Sequence, residues 1–134
     1  MKPTYLRKLD ALLAEHVVGV QRGYWSNSQQ KQIDCDWFEP YRVPDPASGH
    51  SETVYPIEWV KRYSVQPAFA WECVEIMRAK SYWIDWSARS ESDYECRVGT
   101  RECKYLIIES GTTIAEASAR AILCTLNIIL PEDD

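Results

Sequence analysis

The sequence predicts an α/β chain of the α+β kind: an antiparallel sheet of three to four strands packed with three helices in an α-β-α, sandwich-like arrangement. Three observations predict it. Apolar residues recur at helical spacing near both ends and in the middle, as in Leu6, Leu9 and Leu13, Ala70, Val74 and Met77, and Ile114, Ala117 and Ala121. Between the second and third of these stretches, Tyr82, Ile84, Trp86 and Ala88 alternate with Trp83, Asp85, Ser87 and Arg89, the period of a half-buried strand. The remaining stretch, 24–63, is punctuated by Pro40, Pro44, Pro46, Gly49 and Pro56. At 134 residues the chain has the commonest domain size, so a single domain over 1–134 is expected.

The first helix is read over Tyr5–Val20. Leu6, Leu9, Leu12, Leu13, Val17 and Val20 form its apolar stripe, with Arg7, Lys8, Asp10 and Glu15 mostly outside it. Thr4 is the N-cap candidate, and Gly19 and Gly23 are stop signals. The segment that follows is irregular but rich in aromatics, among them Tyr24, Trp25, Trp37, Tyr55 and Trp59, and too apolar for a disordered linker. Short strands are expected at Tyr24–Trp25 and Cys35–Phe38, and a turn or loop at Val43–Gly49. The second helix runs from Ser64 to about Lys80, with Pro67 in its first turn and an apolar stripe of Ala70, Trp71, Val74 and Met77.

A three-stranded meander follows, Tyr82–Ala88, Tyr94–Val98 and Arg101–Ile108. If Gly99-Thr100 is a two-residue turn, Arg97 faces Glu102, Glu95 faces Lys104, Cys96 faces Cys103 and Tyr94 faces Tyr105. Leu106 and Ile108 then share the face of the charge pairs and need a covering helix or a second subunit. The last helix starts at Thr113, whose hydroxyl and Glu116 have the spacing of a capping box. Its many small residues suit close packing on a sheet, and Pro131 follows its end.

Composition narrows function. A net charge of -5 argues against nucleic-acid or anionic-membrane binding, which needs excess Lys and Arg. No run of residues matches a membrane helix, and no apolar signal core follows the N-terminus, so a cytoplasmic chain is expected. The five cysteines read as free thiols, leaving open whether Cys96 and Cys103 pair. Catalytic, cofactor and metal residues are assigned to none. His16 and His50 bring no ligand set, and the carboxylates Asp34, Asp36, Glu39, Asp93 and Glu95 sit in loops or on solvated strand faces. Phosphate-binding glycine motifs are absent from the sequence.

The segments Leu9-Asp10-Ala11-Leu12-Leu13-Ala14-Glu15-His16-Val17-Val18-Gly19, Tyr63-Ser64 with Ala70-Trp71-Glu72-Cys73-Val74-Glu75, and Thr113-Ile114-Ala115-Glu116-Ala117-Ser118-Ala119-Arg120-Ala121-Ile122-Leu123 follow one another in an order that resembles the phage ABA-sandwich family of small bacteriophage and prophage proteins. The resemblance implies an α/β sandwich and a phage or prophage source, and brings no catalytic residues. The Pro- and Trp-rich segment Asn27–Tyr63 departs from it.

The expected function is therefore non-catalytic: an accessory protein in the host bacterial cell that binds a host or phage protein, in one version as an anti-CRISPR-like inhibitor of a bacterial defence system. Aromatics on irregular backbone are recognition material, so Trp25, Trp37, Trp59 and Trp83 are contact candidates, joined by Leu106 and Ile108. A module that sequesters a nucleotide or metabolite is the alternative, and a minor enzyme a third reading. A free meander edge also allows a homo-oligomer.

Overall fold

The computed structural model describes residues 2–21, 23–33, 41–44, 49–104 and 106–132. It has three helices and two antiparallel sheets, the α+β class that the periodicities predict. The chain forms two compact units, one of residues 1–18 and 61–134, the other of residues 19–60.

In the larger unit, α1 spans Lys2–Leu13 and continues as a π-helical turn over Ala14–Val18. Gly19, with φ of 82°, follows in the left-handed region that glycine reaches without strain. Leu9, Leu13 and Val17 are buried as the stripe requires, but so are Arg7 and Asp10. Asp10 accepts hydrogen bonds from the Ser64 amide and the Ser64 hydroxyl, both at 2.7 Å, and from Arg7 at 2.8 Å. The Ser64 hydroxyl also reaches the Leu6 carbonyl at 3.0 Å. A charged residue on the apolar side of α1 is thus held by a polar cluster that includes a residue distant in sequence.

Helix α2 spans Pro67–Ala79, later than the expected start at Ser64, because Gln66 is the extended cap and Pro67 the first helical residue. Its buried stripe is Ala70, Cys73, Val74 and Met77; Trp71 stands outside it and is exposed. Strands β5 (Trp83–Ser90), β6 (Asp93–Gly99) and β7 (Ile107–Gly111) form the predicted meander in the order β5-β6-β7. Helix α3 spans Ile114–Thr125, capped as expected: the Thr113 hydroxyl accepts from the Glu116 amide at 3.1 Å. Glu116 answers to Thr112 rather than Thr113, accepting from its hydroxyl at 2.7 Å and its amide at 3.2 Å.

Helices α2 and α3 share one face of this sheet. Cys96, Val98, Ala117 and Ala121 make the sheet-helix core, surrounded by Tyr82, Ile84, Trp86, Tyr94 and Ile107. The small residues of α3 allow the close approach: a methyl group on Gly111 would lie 2.7 Å from the Ala117 nitrogen. Arg120 ties α3 to α1 through the Tyr5 hydroxyl at 2.8 Å and to β7 through Glu109 at 3.2 Å.

The meander register differs from the expectation. Arg97 faces Ile108, Cys96 faces Glu109, and Glu95 faces Ser110. The last strand has slid by six positions, with Ile108 where Glu102 was expected. Residues 100–104 form a loop instead of a strand start, closed by Thr100 and Cys103, whose mutual hydrogen bonds measure 2.8 and 3.1 Å. The physical reason lies on both faces. On the open face, Arg97 finds its acids at hand, Asp85 at 2.6 Å and Glu95 at 2.9 Å, and Arg89 of β5 also pairs with Glu95. On the helix face, the shift brings Ile107 beside Val98, Glu109 within reach of Arg120, and Gly111 under α3. The Tyr94–Tyr105 pair lies partly outside the described residues, but Tyr94 faces Gly111. Cys96 is buried and Cys103 exposed, and both are free thiols, so the expected facing pair is not formed.

The smaller unit holds a second sheet in the segment read as irregular. Strands β1 (Tyr24–Ser26), β2 (Lys31–Ile33), β3 (Tyr41–Pro44) and β4 (Ser51–Pro56) are ordered β2-β1-β4-β3. The expected strand at Tyr24–Trp25 is present, while that at Cys35–Phe38 lies outside the described residues. Val43 and Pro44, expected in a turn, end β3, where an edge position tolerates proline's missing N–H. Side chains alternate strictly: Tyr24, Ser26, Val54 and Pro56 are buried, and Trp25, Thr53 and Tyr55 are exposed.

Candidate functional site

The exposed face of the second sheet carries a run of aromatic side chains open to solvent. Trp25 on β1 and Tyr55 on β4 are direct cross-strand neighbours, and both point outward because they fall on the odd side of the alternation. Trp59 follows β4, its ring centroid 6.4 Å from that of Tyr55 with the planes tilted by 56°. Their exposures are 46%, 55% and 56%. Three contiguous aromatics left this open are unusual on a surface with no further role, since burying each would remove a large apolar area from water.

Beside them lies an open groove of about 490 Å³, lined by Gln21, Trp25, Asn27, Gln32, Tyr55, Pro56 and Ile57. None of these carries a charge. The Trp25 indole N–H donates to the Asn27 side-chain oxygen at 3.2 Å, which fixes the ring at the groove wall. Gln21 donates to the Gln32 side-chain oxygen at 3.4 Å. The β1–β2 hairpin tip that supplies Asn27 is fastened from β4: Glu52 accepts from the Ser26 hydroxyl at 2.8 Å and the Ser28 amide at 2.9 Å. These hydrogen bonds, the Ser28 amide first, hold the Glu52 carboxyl below its ordinary pKa of 4.5.

The other sequence candidates fall elsewhere. Trp37 lies outside the described residues. Trp83 is half-buried and structural: its indole N–H donates to the Thr100 carbonyl at 3.1 Å, and its ring lies over Gly99. Leu106 and Ile108, in and beside β7, are 44% and 51% exposed with no helix over them, so the expected cover is not supplied by this chain's described residues. They belong to the larger unit.

Two exposed aromatics escaped the sequence reading. Tyr55 is found only once β4 is recognised, after which the outward alternation of Thr53 and Tyr55 would have marked it. Trp71 was assigned to the α2 stripe, yet Ala70, Cys73, Val74 and Met77 already complete that stripe and leave Trp71 at its flank. Its ring lies 6.2 Å from that of Trp86, whose indole N–H donates to the Ser118 hydroxyl at 2.7 Å. Trp71, Trp86, Pro67 and Ile114 line a smaller apolar cavity of about 260 Å³.

Two thiols lie deep in the larger unit. Burial pushes the Cys73 and Cys96 thiols up to about 12, the opposite of nucleophile activation. Among the described residues, no cluster of three metal-ligating side chains is found and no helix is long and apolar enough to cross a membrane. Comparison with protein-family models, curated proteins and solved structures finds no match to this chain.

Proposed function

We propose that the chain is a non-catalytic recognition module that binds another protein through the Trp25–Tyr55–Trp59 surface. The observation that carries this reading is the exposure of Trp25 and Tyr55 side by side on one sheet face, with the exposed Trp59 ring against Tyr55. Aromatic anchors on a rigid scaffold supply contact area at small entropic cost and dominate binding energy at protein interfaces. The openness of the groove beside them favours a protein over an enclosed small ligand. The short ordered motifs that resemble phage ABA-sandwich proteins set the narrower form of the proposal: a phage or prophage accessory protein whose partner is a host or phage protein, such as a component of a bacterial defence system.

The test is a comparative capture experiment in a bacterial host. The native chain and a Trp25→Ala/Tyr55→Ala/Trp59→Ala variant are tagged and isolated under identical conditions. A protein retained by the first and lost by the second is the expected result. An identical set from both would sink the proposal. Restoration of phage growth in a defence-carrying host by the native chain, and not by the variant, is the outcome expected of the narrower form.

A further inference from the structure

The groove beside Trp25 and Tyr55 has a chemistry more specific than apolarity, and it points to one kind of ligand. Its walls are two aromatic rings, Pro56 and Ile57; its polar groups are amides and a phenol; none of the described residues that line it carries a charge. Moreover, two of its three side-chain amide oxygens are already addressed from within. The Asn27 oxygen receives the Trp25 N–H and the Gln32 oxygen receives a Gln21 N–H, at 3.2 and 3.4 Å. What the groove still presents is the N–H groups of Gln21 and Asn27 and the Tyr55 hydroxyl as donors, with the Gln21 oxygen beside them as an acceptor.

A ligand matched to such a wall is uncharged, flat-sided and rich in acceptors, with few donors of its own. We infer that the groove binds a proline-rich segment of a partner protein in the polyproline II conformation. Proline has no N–H, and a polyproline II backbone makes no internal hydrogen bonds, so every carbonyl is an available acceptor. Its rings pack on aromatic faces, and its stiffness lowers the ordering cost of binding. An acidic ligand would lack a cation to meet in this lining, and a basic one would lack an anion. An uncharged oligosaccharide also stacks on aromatic rings, but each of its hydroxyls brings a donor as well as an acceptor, and two of the groove's three amide oxygens are engaged. Beyond the groove, the Tyr55–Trp59 contact continues the aromatic surface, so a segment leaving the groove over Tyr55 would meet a second ring.

This inference rests on the protein-recognition reading above and narrows it. The test uses the full chain and a fluorescently labelled oligoproline of about ten residues, long enough for roughly three polyproline II turns, together with a panel of Pro-x-x-Pro peptides. A Gly/Ser peptide is the flexible control. Anisotropy should show saturable binding of at least one proline-rich peptide and none of the control. Trp25→Ala and Tyr55→Ala should each weaken binding by about tenfold or more, Gln21→Glu should weaken it by replacing a donor with a charge, and Trp71→Ala should leave it unchanged. Circular dichroism establishes that each variant is folded; if Trp25→Ala is not, Tyr55→Phe, which keeps the ring and removes the donor, serves instead and should still weaken binding.

Absence of saturation with every proline-rich peptide overturns the inference. So does saturation that ignores the groove variants. If a partner without a proline-rich segment is captured through the aromatic surface, the inference falls and the recognition reading stands. Saturable binding of an uncharged oligosaccharide, lost in the same variants while no protein is captured, overturns both.

Discussion

Asp10 illustrates how a single residue departs from its sequence expectation. The sequence places it mostly outside the apolar stripe with Arg7, Lys8 and Glu15, yet its side chain is fully buried against Arg7 and Ser64. Asp10→Ala is expected to destabilise the protein by about 3 kcal/mol or more, because it leaves a buried guanidinium without that carboxylate; urea unfolding measures it. Gly99 is constrained differently. A methyl group there would fall 2.1 Å from the Lys104 carbonyl and 2.4 Å from the Trp83 ring. Gly99→Ala should cost about 1–3 kcal/mol, the usual price of overpacking, and should loosen residues 100–104. Cys73 and Cys96 carry a pH prediction. Their thiols ionise near 9.0 when unfolded and near 12 when folded. Unfolding therefore releases protons in that interval, and stability should be fully present below pH 9 and fall as pH rises towards 12. A denaturation series across that range measures the slope, and Cys73→Ala/Cys96→Ala should flatten it. In native-state alkylation read by mass spectrometry, exposed Cys103 should react before either buried thiol.

At the level of elements, caps and anchors decide order. Thr113→Ala removes the hydroxyl that accepts from the Glu116 amide and should cost about 1 kcal/mol. The β1–β2 hairpin is short, and its tip depends on Glu52. Glu52→Ala should raise amide exchange at Ser28, read by hydrogen-exchange mass spectrometry, while leaving β5–β7 unaffected. Acid should act in the same direction. The folded pKa of Glu52 lies below its ordinary 4.5, so its contribution is present above that pH and is lost as pH falls through the folded value. Since the tip supplies Asn27 to the groove, binding of a proline-rich peptide should weaken over the same acid range.

At the level of the molecule, the two sheets divide the work. The larger unit is built from both chain ends, with Asp10 and Ser64 bonded across the point where residues 19–60 are inserted. The insertion carries the aromatic surface. Replacing residues 19–60 with a short Gly/Ser linker should leave the larger unit able to unfold cooperatively on heating, followed by far-ultraviolet circular dichroism, and should abolish capture of the partner. Loss of the transition would show that the larger unit depends on the insertion.

The sequence by itself determined three helices, the meander and the capped start of α3, because those features are written in local periodicity and in hydroxyl–carboxylate spacing. It also determined which face each residue of β7 takes: the slide of six positions is even, so Ile107 still faces inward and Ile108 outward. Tertiary structure decided the register itself, because Arg97 could satisfy its charge on β5 as readily as on β7, and only α3, through Gly111 and Arg120, distinguishes the two. It likewise decided the second sheet. Strands of three to six residues interrupted by Pro and Gly carry too short an alternation to be read singly, and pairing alone reveals that Trp25 and Tyr55 stand side by side. The aromatic abundance of the segment is legible in the sequence; that Trp25 and Tyr55 form an exposed surface beside a groove whose described lining is uncharged follows from which strands meet.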